Sequence, residues 1–275
     1  MDINGSNRSE TLAGTSGADT IRGLRGDDVL SGGGGNDTLL GGEDGDILDG
    51  GIGSDILDGG SILDQGVDTA DYRSIKSNGV TVDLVKGTAN DGTGTDTLIE
   101  IENVQGTNLT DTITGDGENN FLIGNGGVDF LNGGGGGDII MGGINKDFIN
   151  GGSGADKIAG GEGGDNLTGG SGADTFQFSF LKDVGVGASG RDVITDLEKG
   201  LDKIDVSVLD ANAALSGNQA FSFIGTKGFS DEGQVRAIAQ NNGQLIQFNT
   251  TGDGAAEFEI FVETPLSISG SDFFL

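Results

Sequence analysis

Twelve aspartates stand in two series along the chain, separated within each series by steps of nine: Asp19, Asp28, Asp37, Asp46 and Asp55, then Asp111, Asp129, Asp138, Asp147, Asp156, Asp165 and Asp174, with Asn120 in the one missing place. Each has a glycine five residues before it and a large apolar residue two after it. Carboxylates in a regular series, set among glycines whose backbone carbonyls are unscreened, are an oxygen donor set for a hard divalent cation. Ca²⁺ suits it, because it takes six or more oxygens in loose geometry. Mg²⁺ demands a tighter octahedron and holds its water, so it should substitute poorly. Other chemistries drop out: with no His and no Cys in 275 residues, the chain cannot build a His-ligated zinc site, a thiol nucleophile, a disulfide framework or a Ser-His-Asp triad.

The spacing comes from a repeated nonapeptide. Residues 32–40 (GGGGNDTLL), 50–58 (GGIGSDILD), 133–141 (GGGGGDIIM), 151–159 (GGSGADKIA), 160–168 (GGEGGDNLT) and 169–177 (GGSGADTFQ) all fit G-G-x-G-x-D-x-U-x, where U is large and apolar. Looser copies start at Gly5, Gly14, Gly23, Gly41, Gly106, Gly115, Gly124 and Gly142. The eighth place is apolar in all fourteen copies: Leu12, Ile21, Leu30, Leu39, Leu48, Leu57, Ile113, Leu122, Leu131, Ile140, Ile149, Ile158, Leu167 and Phe176. Glycine-rich low complexity would not hold that phase.

Such a unit predicts its own shape. Glycines at the first, second and fourth places allow a tight turn, and x-U-x is a short strand with one inward side chain. Two units make an 18-residue coil of turn, strand, turn, strand. Stacked coils give an all-β parallel β-roll with two sheets around a thin apolar ladder. Residues 18 apart then lie about 4.8 Å from one another, so the acids form columns: Asp19, Asp37 and Asp55; Asp28 and Asp46; Asp111, Asp129, Asp147 and Asp165; Asp138, Asp156 and Asp174. Two carboxylates ~5 Å apart repel by roughly 3 kcal/mol at an effective dielectric near 20. A cation between successive coils reverses that sign. Each site should take one carboxylate from each of two coils, completed by turn carbonyls near Gly32, Gly50, Gly133, Gly151, Gly160 and Gly169, for roughly 6–10 Ca²⁺ in all. Defective copies should hold metal weakly or not at all: Asp44 and Asn145 replace the fourth Gly, Asn120 the sixth Asp, and Glu10 stands in the sixth place of the first copy.

Composition divides the chain. Of 57 Gly, 45 lie in residues 1–175, whereas 11 of 14 Phe lie from Phe176 onward. The expected organisation is a first roll block at 1–64, a structured connector at 65–105, a second block at 106–177 and a β-rich flank at 178–275. The connector breaks the nine-residue phase, although Asp64 still keeps it. Its VTVDL at 80–84 alternates like an exposed strand, and Ile99, Ile101 and Val104 supply an apolar face. It is expected to cap one roll and start the next, with Tyr72, the only tyrosine, as a packing residue. In the flank, NTTGDG at 249–254 resembles the start of an EF-hand loop. Asn249 and Thr251 are poor ligands, however, and the twelfth place is Ile260 rather than Glu, so a hairpin turn is expected. Asp192, Asp196, Asp202 and Asp205 form another acidic group, expected to be turn residues, with a further calcium ligand as the alternative.

A formal charge of −30 repels phosphates, so nucleic acid is not an expected partner. The apolar content of 33% with that charge would ordinarily mean disorder; a multivalent cation overturns that reading. No basic stretch and apolar core open the chain, so a cleaved signal peptide is not expected, and no 18 apolar residues run together.

The nonapeptides resemble the calcium-binding repeats of RTX (hemolysin-type) proteins exported by type I secretion. DVITDLEKGLDKID (192–205), AFSFIG (220–225) and the closing DFFL resemble the C-terminal region of serralysin-type proteases. The resemblance implies a right-handed parallel β-roll, calcium in the turns, a secreted extracellular protein, and an uncleaved export signal at Asp272 to Leu275 read by the type I secretion apparatus. There is no H-E-x-x-H, so the protease activity does not carry over. A chain that is RTX from end to end also resembles the nodulation-signalling RTX proteins of rhizobia, which implies host or cell-surface interaction and a possible cation-channel role at host membranes. So acidic a surface with no amphipathic span fits a channel poorly. A polysaccharide-cleaving enzyme would need only two acids at fixed separation, but the repeat acids are committed to metal, and the expectation is a protein that is not an enzyme. The alternative is an accessory or carbohydrate-binding RTX module of an alginate epimerase or similar polysaccharide enzyme, with a cell-surface glycan as partner.

Overall fold

The computed structural model describes residues 1–60, 66–179, 185–187, 189–212 and 217–275; Asp64, expected to keep the repeat phase, lies outside them. The chain forms two compact units, Met1–Gly134 and Gly135–Leu275. No α-helix occurs among the described residues, so none is available to cross a membrane.

In the first unit the expected coils are present. One sheet stacks Asp2–Asn4, Thr20–Arg25, Thr38–Glu43 and Ile56–Gly60 in parallel, with Ile3, Ile21, Leu39 and Leu57 in register. The other stacks Thr11–Ala13, Val29–Ser31, Ile47–Asp49, Thr69–Asp71, Asn103–Gln105 and Phe121–Gly126 in parallel, aligning Leu12, Leu30, Leu48, Ala70, Val104 and Leu122. Of the fourteen eighth-place residues in the chain, thirteen are 0–3% exposed, and Leu12 in the first coil is half-buried. The core is thus one side chain wide, and a lost methylene cannot be made up from a second layer. Leu39→Ala is expected to destabilise the calcium-loaded protein by about 3 kcal/mol, measured by denaturant unfolding at fixed calcium. Leu24 occupies a second place where glycine is the rule, at φ +89° and exposed. Leu24→Gly should therefore relieve about 1 kcal/mol of left-handed strain by the same measurement.

Residues 66–105 are built into the roll rather than set as a cap between two rolls. Thr95–Ile99 lies parallel to Ile56–Gly60, with Leu98 over Leu57. It then pairs antiparallel with Thr88–Asn90, which pairs antiparallel with Thr81–Asp83. Thr81–Asp83 returns to a parallel partner in Thr112–Thr114, with Val82 beside Ile113. The physical reason is that Ala70, Val82, Leu98 and Val104 fill the same inward positions as the repeat leucines, so the apolar ladder continues where the sequence phase does not. Val80 and Val82 are accordingly buried, as is Ile101, while Ile99 points outward.

In the second unit, Ile139–Ile144, Lys157–Glu162, Thr175–Gln177, Lys203–Asp205 and Phe273–Phe274 stack in parallel, aligning Ile140, Ile158, Phe176, Ile204 and Phe273. Opposite them, Phe148–Ser153, Asn166–Ser171, Asp192–Ile194 and Phe258–Val262 stack likewise, aligning Ile149, Leu167, Ile194 and Val262. The second sheet then turns antiparallel through Gly243–Asn249 and Gln234–Gln240. Here large rings replace the thin ladder: Phe248 and Phe258 stack with centroids 4.0 Å apart, and Phe221 meets Phe248 edge-on at 5.4 Å. Residues 249–257 form the expected hairpin turn, tied by the Asn249 amide donating to the Ala255 carbonyl and the Thr250 N–H donating to Glu257.

Candidate metal centre

Every sixth-place aspartate is almost fully buried, which a carboxylate tolerates only if its oxygens are satisfied. Asp19 Oδ1 accepts from the terminal ammonium of Met1 and Asp111 Oδ1 from the Val80 N–H, and in eight others one oxygen is satisfied in a single repeated way. The backbone N–H of a column member donates to Oδ1 of the next: Glu10 to Asp28, Asp19 to Asp37, Asp28 to Asp46 and Asp37 to Asp55, at 2.7–2.8 Å. Asp111 donates to Asp129 at 2.8 Å. In the second unit Asp138 donates to Asp156, Asp156 to Asp174, and Asp147 to Asp165, at 2.8–3.0 Å. Acids 18 residues apart thus stand in columns as the spacing requires.

The other oxygen differs along the columns: Asp19 Oδ2 accepts from Thr15 and Asp111 Oδ2 from the Thr107 N–H, at 2.6–2.8 Å, whereas six of the acids leave theirs without a donor. Oδ2 of Asp28, Asp37, Asp46, Asp55, Asp156 and Asp174 is buried without a hydrogen-bond donor among the described residues. Bare α-carbons face these oxygens. A Cβ built on Gly32 would meet Asp37 Oδ2 at 2.4 Å and the Gly50 carbonyl oxygen at 2.6 Å; on Gly151 it would meet Asp156 Oδ2 at 2.4 Å and the Gly169 oxygen at 2.6 Å. The carbonyls of Gly32, Gly133 and Gly160 crowd Gly14, Gly115 and Gly142 in the same manner, at 2.2–2.5 Å. At the turns of Asp37 and Asp156, carboxylate and carbonyl oxygens therefore gather with no donor to the carboxylate oxygen among the described residues, and a hard cation is the group that fits such oxygens. No three acidic side chains among the described residues converge on one point, which leaves two carboxylates and backbone oxygens for each position.

Burial acts on these acids as it must without a counter-charge. It raises Asp46, Asp96 and Asp129 to about 7 and Asp55 and Asp174 to about 6, with neighbouring carboxylates adding to the effect. Asp28, Asp37, Asp111, Asp156 and Asp202 are also raised by burial. Asp19 is the exception, lowered by the terminal ammonium of Met1 and by Thr15. A raised acid binds its proton more tightly in the folded state. Its metal-free stability is therefore whole below the unfolded value near 4 and is lost as pH rises through about 6–7. Protein stripped of metal should regain β-sheet circular dichroism on acidification from pH 7.5 to 4, and calcium affinity should weaken over the same descent. A metal-free chain equally unfolded at both pH values would contradict this.

The columns reach further than the repeats. Asp46 donates to Asp68 at 2.7 Å, Asp55 to Asp96 at 2.9 Å, and Asp68 to Glu102 at 2.8 Å. In the second unit Asp165 donates to Asp192 and Asp174 to Asp202. Asp192 and Asp202, expected as turn residues, are thus column members. Asp196 instead accepts from the N–H groups of Gly169 and Gly170, and Asp205 accepts from Ser207. Asp68, Asp96 and Glu102 escape a nine-residue search because loops intervene. The surviving signal is local: Asp96-Thr97-Leu98, Glu102-Asn103-Val104, Asp192-Val193-Ile194 and Asp202-Lys203-Ile204 all keep acid-x-apolar.

Among the defective copies, Asn120 turns its amide to donate to the Glu102 carbonyl at 2.8 Å, putting a proton where other columns place an acid. Asp44 and Asn145 adopt the positive φ, +76° and +79°, of the glycines they replace. Tyr72 is buried as expected, and its hydroxyl donates to Asp96 Oδ2 at 3.2 Å.

Residues 4–39 and 31–61 match the RTX calcium-binding nonapeptide repeat (4 copies), and residues 61–273 match the Peptidase M10 serralysin C terminal. No curated protein matches the chain. Among solved structures it is similar to the AlgE6R3 subunit of the Azotobacter vinelandii mannuronan C5-epimerase (23% identity over 61% of this chain and 78% of that one, TM-score 0.39). The AlgE6R2 subunit of the same enzyme is also similar (24%, 60% and 92%, TM-score 0.34). So is the extracellular lipase LipA from Serratia marcescens (16%, 100% and 40%, TM-score 0.28). With well over half its length matched, this all-β chain belongs to the serralysin C-terminal family and carries RTX repeats that bind Ca²⁺.

Proposed function

We propose that this is a secreted, non-catalytic protein that leaves the cell unfolded through a type I exporter and folds on extracellular calcium to act at a host or other cell surface. The observation that carries this reading is the stacking of buried acids in columns, with Oδ2 of Asp28, Asp37, Asp46, Asp55, Asp156 and Asp174 lacking a donor among the described residues. Each site would take carboxylates from two coils: Asp19, Asp37 and Asp55, Asp28 and Asp46, and Asp111 and Asp129 in the first unit; Asp138, Asp156 and Asp174, and Asp147 and Asp165 in the second. Turn carbonyls would complete the shells. Where calcium is scarce such columns repel and the chain stays threadable. Outside, the free energy of metal binding becomes free energy of folding and opposes return. The domain limits 1–64, 65–105, 106–177 and 178–275 are proposed on the same footing as segments of sequence.

The test of location is secretion of the chain by cells carrying a type I exporter, with and without its last four residues, Asp272 to Leu275. Export of the whole chain and retention of the truncated one supports the reading; equal export of both contradicts the signal. The test of action is a pull-down of calcium-loaded protein from candidate host cell surfaces. A specific protein or membrane partner supports surface interaction, whereas retention on alginate alone would move the assignment to an accessory module of a polysaccharide enzyme.

A further inference from the structure

Residues 91–99, DGTGTDTLI, form a nonapeptide that no phase from either repeat series reaches. They align as x-G-x-G-x-D-x-U-x, and the backbone obeys the alignment. Gly92, in the second place, has φ +79°, close to Gly51 at +85° in the corresponding place of the coil beneath. A Cβ on Gly94, in the fourth place, would lie 1.8 Å from the Gly53 carbonyl oxygen; one on Gly53 would lie 1.8 Å from that of Gly35. The turns are also tied by side chains, with Gly53 N–H donating to Thr93 Oγ1 at 3.1 Å and Thr95 N–H to Ser54 Oγ at 3.0 Å. Asp96 follows Asp55 in the column and Leu98 follows Leu57 in the core. A stretch 41 residues from its neighbour thus does the work of one 18 away.

It differs from every regular repeat in one respect: its first place is Asp91, not glycine. Asp91 is fully buried. Its carboxylate folds back on its own turn, accepting from Thr93 N–H at 2.7 Å, from Thr93 Oγ1 at 2.8 Å and from Gly94 N–H at 3.0 Å. It acts electrostatically on both Asp55 and Asp96. Asp55 Oδ2, buried at 1% exposure and without a donor, is the oxygen that asks for a ligand here.

We propose that Asp55 and Asp96, with turn carbonyls and the nearby charge of Asp91, form a calcium site in this out-of-phase repeat that binds more tightly than the sites of the regular repeats and so fills first, anchoring the inserted segment to the roll. Affinity in oxygen-donor sites rises with the number of charges gathered around the ion, and the extra carboxylate of this turn, Asp91, is fully buried, whereas the extra acids of other first-unit turns, Asp27, Glu43 and Asp44, are exposed. The inference rests on the calcium reading above but can fail alone.

Tyr72 makes the test specific. It is the only tyrosine, there is no tryptophan, and its hydroxyl touches Asp96. Tb³⁺ is a luminescent stand-in for Ca²⁺, and light absorbed by tyrosine reaches it only over short range. Titrating metal-free full-length chain with Tb³⁺, tyrosine-excited emission should rise with the first equivalents and saturate before circular dichroism reports full folding. Asp91→Asn should weaken that emission midpoint about tenfold while the folding midpoint shifts far less. Tyr72→Phe should abolish the emission and leave metal-dependent folding in place. Folding with Tb³⁺ but no tyrosine-excited emission, or emission arising only with the last equivalents, would overturn the inference and leave the calcium reading standing. Failure to fold with either Ca²⁺ or Tb³⁺ would overturn both.

Discussion

Removing calcium from the folded protein at pH 7.5 is expected to abolish its β-sheet circular dichroism, and restoring Ca²⁺ to roughly 10⁻⁴–10⁻³ M to recover it in one cooperative step. The size of the effect follows from how little else holds the coils together. The core is one apolar side chain thick, and the net charge is −30. The columns place buried acids in successive coils with an orphaned oxygen on each of Asp28, Asp37, Asp46, Asp55, Asp156 and Asp174. Each neighbouring pair opposes stacking by roughly 3 kcal/mol, and the terms run the same way down a column, so they do not cancel. Mg²⁺ at the same concentration should recover much less. Equal β content with chelator and with calcium would contradict the expectation.

The second large effect is steric. Gly154 sits in the fourth place of its repeat at φ +133°, and a Cβ there would lie 1.5 Å from the Gly136 carbonyl oxygen. No rotamer change relieves that contact, because both partners are backbone. Gly154→Ala must either tear the coil from its neighbour or rotate the carbonyl away from the turn, and it should cost ~4 kcal/mol or more. It should also lower the number of calcium ions bound, counted by calorimetric titration. Gly17 is the control. It occupies a fourth place with nothing within 4 Å of its Cβ position, so Gly17→Ala should leave both stability and stoichiometry within experimental error of the parent. A harmless Gly154→Ala would mean that coils do not stack this closely in solution.

The roll was legible because its causes are local and periodic. An apolar residue every nine places fixes which side chain turns inward, and glycines at set places let one coil's carbonyl approach the next coil's backbone; both can be seen in a single copy. What the sequence concealed follows from the same physics. Stacking requires only that an acid-x-apolar triplet arrive at the right height; the length of chain spent getting there is free. Asp68 arrives after 22 residues, Asp96 after 41, Asp192 after 27 and Asp202 after 28, where 18 is the regular step. Asp192 still falls on the nine-residue phase, 27 being three nines, but a search by period loses Asp68, Asp96 and Asp202, and the first two are why residues 66–105 resembled a separate connector. Alternating valines at 80 and 82 suggested an exposed strand, because alternation reveals one covered face but not what covers it. In the flank, the phenylalanines announced an ordinary core, and the Phe248–Phe258 stack closes the hairpin that the failed EF-hand pattern left as the remaining choice.

Crystals grown in excess calcium and measured with anomalous scattering at long wavelength test the central claim most directly. Metal peaks are predicted in the turns between Asp37 and Asp55 and between Asp156 and Asp174, each within bonding distance of an Oδ2 atom and of turn carbonyls near Gly50 and Gly169. A folded roll with no metal density beside those four aspartates would mean that something other than cations holds the acidic columns together.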